Sequence, residues 1–325
     1  MQLAHPELPA RLVRLPRGFT SEIMTETIVA LDTCFCAIPP FRFPHLLYEY
    51  TSTSQAQTTA RLGDATIMVT DSLICVSIVG VDHIDLPACR ERGIRVCNTP
   101  GATTEAVAEH AIALYFSAGR NIVRARNWVM RGTEWARVPS GMEPFDRLPI
   151  PCSQDKMGII GHGKIGQKIA VFARALGMAV LIADRRGVSH PHIRQGRTAF
   201  EDVLQQATAI VLTYPWDEST TGMIAEKELG LMQPQSILIN VGRGGLVNER
   251  DLIAALESRK IAGYTADVLA AEPATKQNSL LLSSAAPNLT LSPDIAWYNG
   301  TSIECVSIQS IVEGFVAGQE MNVVC

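Results

Sequence analysis

The sequence predicts an α/β protein built on a Rossmann-type doubly wound parallel sheet, with a second, smaller α/β domain. Three observations carry this. Beyond residue 157, short apolar β-rich runs alternate with helical patterns, the order that a parallel sheet with crossover helices requires. A glycine turn, Gly161-His162-Gly163-Lys164-Ile165-Gly166, stands between the first such run and the first such helix. The next run ends on a carboxylate, Asp184, which lies 18 residues after Gly166. A chain of 325 residues with 47% hydrophobic and 18% charged side chains has core enough for about two domains.

In chain order, residues 1–23 set Arg11, Arg14 and Arg17 against Glu7 and Glu22. They read as a disordered extension, or as a poor organelle presequence, because the regular pattern begins only at Glu26. Strand signals follow at 26–31, 65–70, 74–79 and 94–96, and define the smaller domain. Only Asp71, Ser72 and Leu73 separate the second and third runs. Parallel neighbours need a crossover of about a dozen residues or more, so the two runs form a hairpin, form one bent strand, or lack a segment. The small domain therefore reads as truncated. Residues 103–119 place Val107, Ala111, Leu114 and Tyr115 on a helical period, which predicts a helix crossing between the domains. The predicted division is 24–117 plus 298–325 for the small domain and 118–297 for the large one.

Residues 157–160 are a buried strand, and Gly161 lets the chain fold back without a Cβ clash. Gly163 leaves room for a pyrophosphate at the main chain. Gly166 lets the helix over 165–176 lie close on the sheet, and the first-turn amides around Lys164 and Ile165 favour phosphate charge. Gly177 ends that helix, 179–183 is the next strand, and Asp184 stands where an acid grips the ribose hydroxyls of an adenosine. The whole strand–turn–helix–strand context predicts a dinucleotide, and the Asp184 charge favours NAD over NADP. Arg185 and Arg186 oppose that choice unless they are merely solvated. Further strands are read at 209–212, 236–240, 263–267 and 289–291. A loop with Pro215 follows the first, Gly242-Arg243-Gly244-Gly245 follows the second, and Asn248 caps a helix to about residue 258. Ligands in such sheets sit beyond the carboxyl ends of the strands, so Asp184, Tyr214, Arg243, Asp267 and Asp294 are expected to line one crevice.

Composition excludes other classes. A net charge of −4 and a pI near 6.0, with scattered lysines and arginines, offer no basic field for nucleic acid. The most apolar stretch, 74–81, is too short to span a bilayer, and no signal peptide opens the chain. The 8 cysteines show no disulfide framework, and Cys34-Phe35-Cys36 lacks redox or zinc spacing, so a reduced cytoplasmic protein without a metal is expected.

Seven stretches, spread over about 26–324, resemble the D-isomer-specific 2-hydroxyacid dehydrogenases: Gly80-Val81-Asp82-His83-Ile84-Asp85-Leu86, Asn98-Thr99-Pro100-Gly101, Val107-Ala108-Glu109-His110, the glycine turn, Asn240-Val241-Gly242-Arg243-Gly244, Asp267-Val268 with Glu272-Pro273, and Ser292-Pro293-Asp294-Ile295-Ala296-Trp297. The chain is most similar to the branch of glycerate dehydrogenases and hydroxypyruvate or glyoxylate reductases. The resemblance implies a flavodoxin-like small domain, a homodimer, NAD, and a small 2-keto or 2-hydroxy acid substrate.

It also implies roles. Arg243 binds the substrate carboxylate and polarises its carbonyl, as a planar guanidinium fork can. Backbone amides at Val79 and Gly80 complete the carboxylate clamp. Asp267 holds the nicotinamide carboxamide, Tyr214 and Pro215 flank the adenine, and Thr220 and Gly242 belong to the cofactor site. The family's proton donor is a histidine oriented by a glutamate. Glu272 matches the glutamate, but Asp294 occupies the histidine's place, and no histidine lies beyond residue 192. No nearby substitute is expected. An ordinary aspartate, with a pKa of about 3.9, would be ionised and useless as a donor at neutral pH. A proton shared with Glu272 would restore a donor. The third reading is a catalytically silent NAD-binding regulatory or scaffold protein.

Overall fold

The computed structural model describes residues 11–13, 26–30, 45–49, 73–75, 86–91, 93–101, 103–132, 137, 148–298, 310–315 and 317–325. The chain divides into two compact units, Met1–Thr103 with Asn299–Cys325, and Thr104–Tyr298.

The larger unit carries a six-stranded, all-parallel sheet. Its strands are β6 (Lys156–Ile160), β7 (Ala179–Ile182), β8 (Ala209–Leu212), β9 (Ile237–Asn240), β10 (Gly263–Ala266) and β11 (Leu289–Leu291). They lie in the order β11-β10-β9-β8-β6-β7, so the winding reverses between β6 and β8. Central strands of such a sheet are covered on both faces and need unbroken apolar runs, which is why β8 and β9 are buried at every position. The two-residue period divides each strand between two cores. Ala209 and Val211 pack with the helices α2 (Thr104–Gly119) and α4 (Lys164–Ala175), while Ile210 and Leu212 pack with α5 (Phe200–Gln206) and α7 (Glu249–Glu257).

Helix α2 buries Val107, Ala108, Ala111, Leu114 and Tyr115 against the core of the large sheet, in the unit that begins at Thr104. Asn248 caps α7 as its type predicts, its side chain accepting from the amides of Arg250 (3.1 Å) and Asp251 (3.2 Å). The sequence pattern placed no helix at α1 (Leu86–Glu91), α3 (Ile122–Met130), α5, α6 (Glu226–Leu231) or the short α8 (Leu280–Ser283).

In the smaller unit, β2 (Glu26–Ala30) pairs parallel with β3 (His45–Glu49), and β1 (Arg11–Val13) pairs antiparallel with β3. Strand β1 corrects the reading of residues 1–23 as wholly disordered. Its partner lies more than 30 residues away, and a three-residue strand set by a distant neighbour leaves little local pattern. A second pair, β4 (Leu73–Cys75) with β5 (Arg95–Cys97), is also parallel and is followed and preceded in sequence by helix α1 (Leu86–Glu91) between them. The run at 65–70, the junction before Leu73 and residues 76–79 lie outside the described residues, as do the truncation readings built on them. The chain terminus adds an antiparallel segment to β5, with Val96 N donating to Cys325 O (2.8 Å) and Val324 N to Val96 O (2.7 Å). A helical turn at 310–315 buries Ile311 and Val312 in the same unit.

Candidate active site

The glycine turn opens at the carboxyl end of β6, beside the reversal of strand order where an open α/β sheet offers a crevice. Each glycine answers to a different constraint. Gly161 has φ +100°, and a Cβ there would meet the Thr213 backbone at 2.8 Å. Thr213 Oγ1 donates to Gly161 O at 2.7 Å and fixes the turn. A Cβ on Gly166 would fall on the Gly161 carbonyl oxygen, so glycine alone lets α4 start this close to the strand. Gly163 is the N-cap of α4, and a Cβ there would meet nothing within 4 Å. The space above the first-turn amides at Lys164 and Ile165 is thus open, the shape that a pyrophosphate needs. This contrast gives a direct test. Gly163→Ala is expected to leave the unfolding free energy within about 0.5 kcal/mol, because nothing crowds the methyl. It should still weaken nucleotide binding roughly tenfold, the scale of one hydrogen bond to a charged group. Gly166→Ala should lose about 1–3 kcal/mol as the Gly161 carbonyl is displaced. Thermal unfolding and calorimetric titration separate the two, and equal melting temperatures would refute the assignment.

At the end of β7, Asp184 is not a free acceptor. Its Oδ1 accepts from Arg185 N (2.7 Å), Arg194 Nε (2.9 Å) and Arg194 Nη2 (2.5 Å), and its Oδ2 from Arg194 N (2.8 Å). These donors hold its carboxyl well below the usual range, the Arg194 side chain contributing most. Arg194 was missed in the sequence because it lies ten positions downstream in a loop without regular pattern.

The loop after β8 carries Tyr214, half-buried, and Pro215, exposed. The Thr220 hydroxyl accepts from Asp217 N (2.8 Å) and closes the capping box of the 218–220 turn. Trp216, 42% exposed, stacks where a Cβ on Gly245 would come within 2.6 Å of its Nε1.

Beyond β9, Asn240 Oδ1 accepts from Gly242 N (3.1 Å) and Asn240 Nδ2 donates to Arg243 O (2.9 Å). The buried asparagine thus shapes the loop that presents Arg243. A Cβ on Gly242 would lie 2.8 Å from Tyr214 O. Arg243 is half-buried and donates from Nη1 to Gly242 O at 2.9 Å.

Asp267, at the end of β10, is 1% exposed and organises the segment that carries Asp294. Its carboxylate accepts from Ser292 Oγ (2.5 Å), Ile295 N (3.1 Å) and Ala296 N (2.7 Å), and its backbone carbonyl accepts from Asp294 N (2.7 Å). Burial opposes its charge, yet His110 and these donors outweigh it and hold its carboxyl below the ordinary range. His110, from α2, joins Asp267 and Ser292. Its Nε2 lies 2.9 Å from Ser292 Oγ and 3.4 Å from Asp267 Oδ1. Since the Ser292 proton points to Asp267, His110 Nε2 is the donor to Ser292. The sequence held the signal in Val107-Ala108-Glu109-His110, but 182 residues separate His110 from Ser292.

Asp294 has φ +51°, a left-handed conformation in which Asp, Asn and His are enriched. Trp297 Nε1 donates to its carbonyl at 2.8 Å. Loss of water and then the neighbouring Asp267 raise its pKa, and Arg243 partly offsets them. Glu272 accepts from Leu269 N at 2.7 Å. Its carboxyl is also raised, first by burial and then by the Asp294 charge, against the pull of the Leu269 amide and Arg243. Arg243, Glu272, Asp267 and Asp294 therefore share one electrostatic neighbourhood at the carboxyl ends of β9 and β10. Val79 and Gly80 lie outside the described residues. Among the described residues, no group of three or more His, Cys, Asp or Glu side chains is placed to hold a metal ion, and no helix is long and apolar enough to cross a membrane.

A family model described as D-isomer specific 2-hydroxyacid dehydrogenase, NAD binding domain, matches residues 112–296. The chain is 34% identical over 321 residues to a glycerate dehydrogenase of Methylorubrum extorquens, covering 93% of this chain and 99% of the relative. It is 37% identical over 225 residues to a glyoxylate reductase of Thermococcus litoralis, covering 69% and 66%. Among solved structures, a D-lactate dehydrogenase from Aquifex aeolicus, complexed with NAD and lactic acid, superposes with a TM-score of 0.68 at 26% identity, covering 86% of this chain and 92% of that one.

Proposed function

The chain belongs to the D-isomer-specific 2-hydroxyacid dehydrogenases, and on that premise we propose that it interconverts a small 2-keto acid, of the glyoxylate and hydroxypyruvate class, with its D-2-hydroxy acid. The cofactor is NAD, and the glycine turn fits it: an open Gly163 above first-turn amides, on a helix held close by Gly166. When bound, NAD carries the hydride that the substrate carbon gains or loses. The observation that supports the reaction most is the grouping of Arg243 with two carboxyls, Glu272 and Asp294, that both hold their protons more tightly than usual.

In reduction, Arg243 pairs with the substrate carboxylate and draws electron density onto the carbonyl oxygen. The carboxyl pair of Glu272 and Asp294 delivers the proton that this oxygen needs as it becomes a hydroxyl, and takes it back in oxidation. Asp267, whose Oδ2 accepts from Ala296 N, is proposed to hold the carboxamide of the nicotinamide, and Tyr214 with Pro215 to flank the adenine. Amides at Val79 and Gly80 would close the carboxylate clamp, and the unit containing them would serve as the substrate domain. Replacement of a histidine by Asp294 weakens the donor at neutral pH, so turnover is slower than a histidine would give.

The pH dependence tests this. Reduction needs the protonated pair, and raised pKa values keep it protonated to higher pH than ordinary carboxyls. Rates of NADH oxidation with glyoxylate or hydroxypyruvate should therefore climb as pH falls through the mildly acidic range, and D-glycerate oxidation should follow the opposite slope. A flat profile would remove the carboxyl pair from the mechanism. NADH binding with no turnover at any pH would favour the silent scaffold instead.

A homodimer is the assembly we propose, supported by the exposed apolar side chains Ile122, Val123, Val129 and Met130 on α3, and sedimentation of the full chain decides it. A cytoplasmic location is proposed on the cysteine spacing alone, and cell fractionation tests it.

A further inference from the structure

We propose that Arg194 meets the adenosine ribose, and that its pairing with Asp184 opens the cofactor site to a ribose 2′-phosphate, so that the chain binds NADPH as well as NADH. This rests on the dinucleotide reading above and concerns which nucleotide the same site admits. A carboxylate selects the unphosphorylated ribose by accepting from its two hydroxyls and by repelling a phosphate. Asp184 is poorly placed for either. Its Oδ1 already takes three donors, Arg185 N with Arg194 Nε and Nη2, and its Oδ2 takes Arg194 N, so about one of the four acceptor positions of the carboxylate is left for two ribose hydroxyls, and its charge is paired with Arg194.

The exposed surface belongs to the cation. The Asp184 side chain is 1% accessible, whereas that of Arg194 is 53% accessible. The clamp is also tied into the sheet rather than hanging from a free loop. Asp184 N donates to Thr198 O (2.8 Å), Thr198 N donates to Ile182 O (2.8 Å), and Ala183 bridges Thr198 in parallel register. The segment from 185 to 197 is thereby closed at both ends, with Arg194 folded back onto the strand terminus.

Charge at the strand end follows from the partners. Arg186 is spent on the buried Glu228 at 2.7 Å, and Asp184 is cancelled by Arg194. Arg185 is exposed, its amide donating to Asp184 Oδ1 and its carbonyl accepting from Val188 N (3.3 Å). The local sum is about one positive charge, whereas without Arg194 it would be about zero. A guanidinium is suited to phosphate through paired N–H donors. The sequence rule that an acid at this position excludes the phosphate therefore does not hold here, because the acid's charge is spent inside the protein.

Calorimetric titration of the full chain with NADH and with NADPH tests this without any turnover. The wild-type dissociation constants are expected to agree within about tenfold. Arg194→Ala should weaken NADPH roughly 10- to 100-fold, the range of a charged hydrogen-bonded contact. The same variant should leave NADH unchanged or tighter, since it frees Asp184 for the ribose hydroxyls. Arg185→Ala, at an exposed side chain that cannot disturb folding much, should shift the ratio in the same direction by less. A wild-type preference for NADH above about a hundredfold, or an Arg194→Ala variant that keeps the wild-type melting temperature and weakens both nucleotides equally, overturns the inference while the dinucleotide site stands. Failure of folded wild-type protein to bind either nucleotide overturns both.

Discussion

Asp294→His is expected to raise the rate of 2-keto acid reduction at neutral pH by about 10²- to 10⁴-fold, the usual worth of a positioned acid–base group whose pKa lies near the working pH. The backbone at 294 is ready for it. A φ of +51° suits His as it suits Asp, so the change adds little strain. The conformation is also imposed from outside the side chain, by Asp267 accepting from the amides of residues 294, 295 and 296 and by Trp297 Nε1 holding the 294 carbonyl. Glu272 lies close enough for the Asp294 charge to raise its proton affinity, which places it to accept from an imidazole at the same position. Its carboxyl would then fall, because an imidazolium replaces a like charge. The pH profile should accordingly lose its acid bias and break near a histidine pKa. Steady-state kinetics across pH check both effects. A variant with wild-type stability and NADH affinity but no gain would mean that residue 294 does not face the carbonyl oxygen.

The fold was legible in the sequence where local pattern and global packing agree. Strands β8, β9 and β10 are buried at every position, so their runs are almost wholly apolar, and the glycine turn follows from close backbone approaches at Gly161 and Gly166. Legibility failed where a partner lies far along the chain. Strand β1 is three residues long and exists through pairing with β3. Helix α2 has a plain helical period, but the period cannot say which of two cores receives its face. The site shows the same division. Arg243, Glu272 and Asp294 were read as candidates from their motifs, and their mutual influence is a matter of placement that no spacing reveals. Asp184 was found by position while its occupancy was not, since Arg194 sits in an irregular loop. The capping box that joins Thr220 to Asp217, three residues earlier, was likewise not read. His110 was set aside for distance along the chain, which is the one quantity a folded sheet disregards.

Arg243→Ala should lower kcat/KM for 2-keto acid reduction by about 10³-fold or more, since removing one preorganised donor to a developing oxyanion costs about 10²- to 10³-fold and the carboxylate contact goes with it. The loss should divide between the two parameters. The ground-state ion pair with the substrate carboxylate appears in KM, and the polarisation of the carbonyl appears in kcat. Stability should change little, because the loop is held by Asn240 bonding the Gly242 amide and the 243 carbonyl, neither of which needs the guanidinium. A second consequence distinguishes an electrostatic role from simple binding. The Arg243 charge lowers the proton affinity of both Glu272 and Asp294. Without it both carboxyls rise further, so the residual reductase activity should persist to higher pH than in the wild type. Arg243→Lys retains the charge and loses the fork, so it should keep the wild-type pH profile while recovering little of the rate. If the Lys variant moves the profile as far as the Ala variant does, the charge of residue 243 is not what sets the protonation of the pair. The proton would then come from another group, and the neighbouring Ser292 and His110 would be the first to examine by substitution.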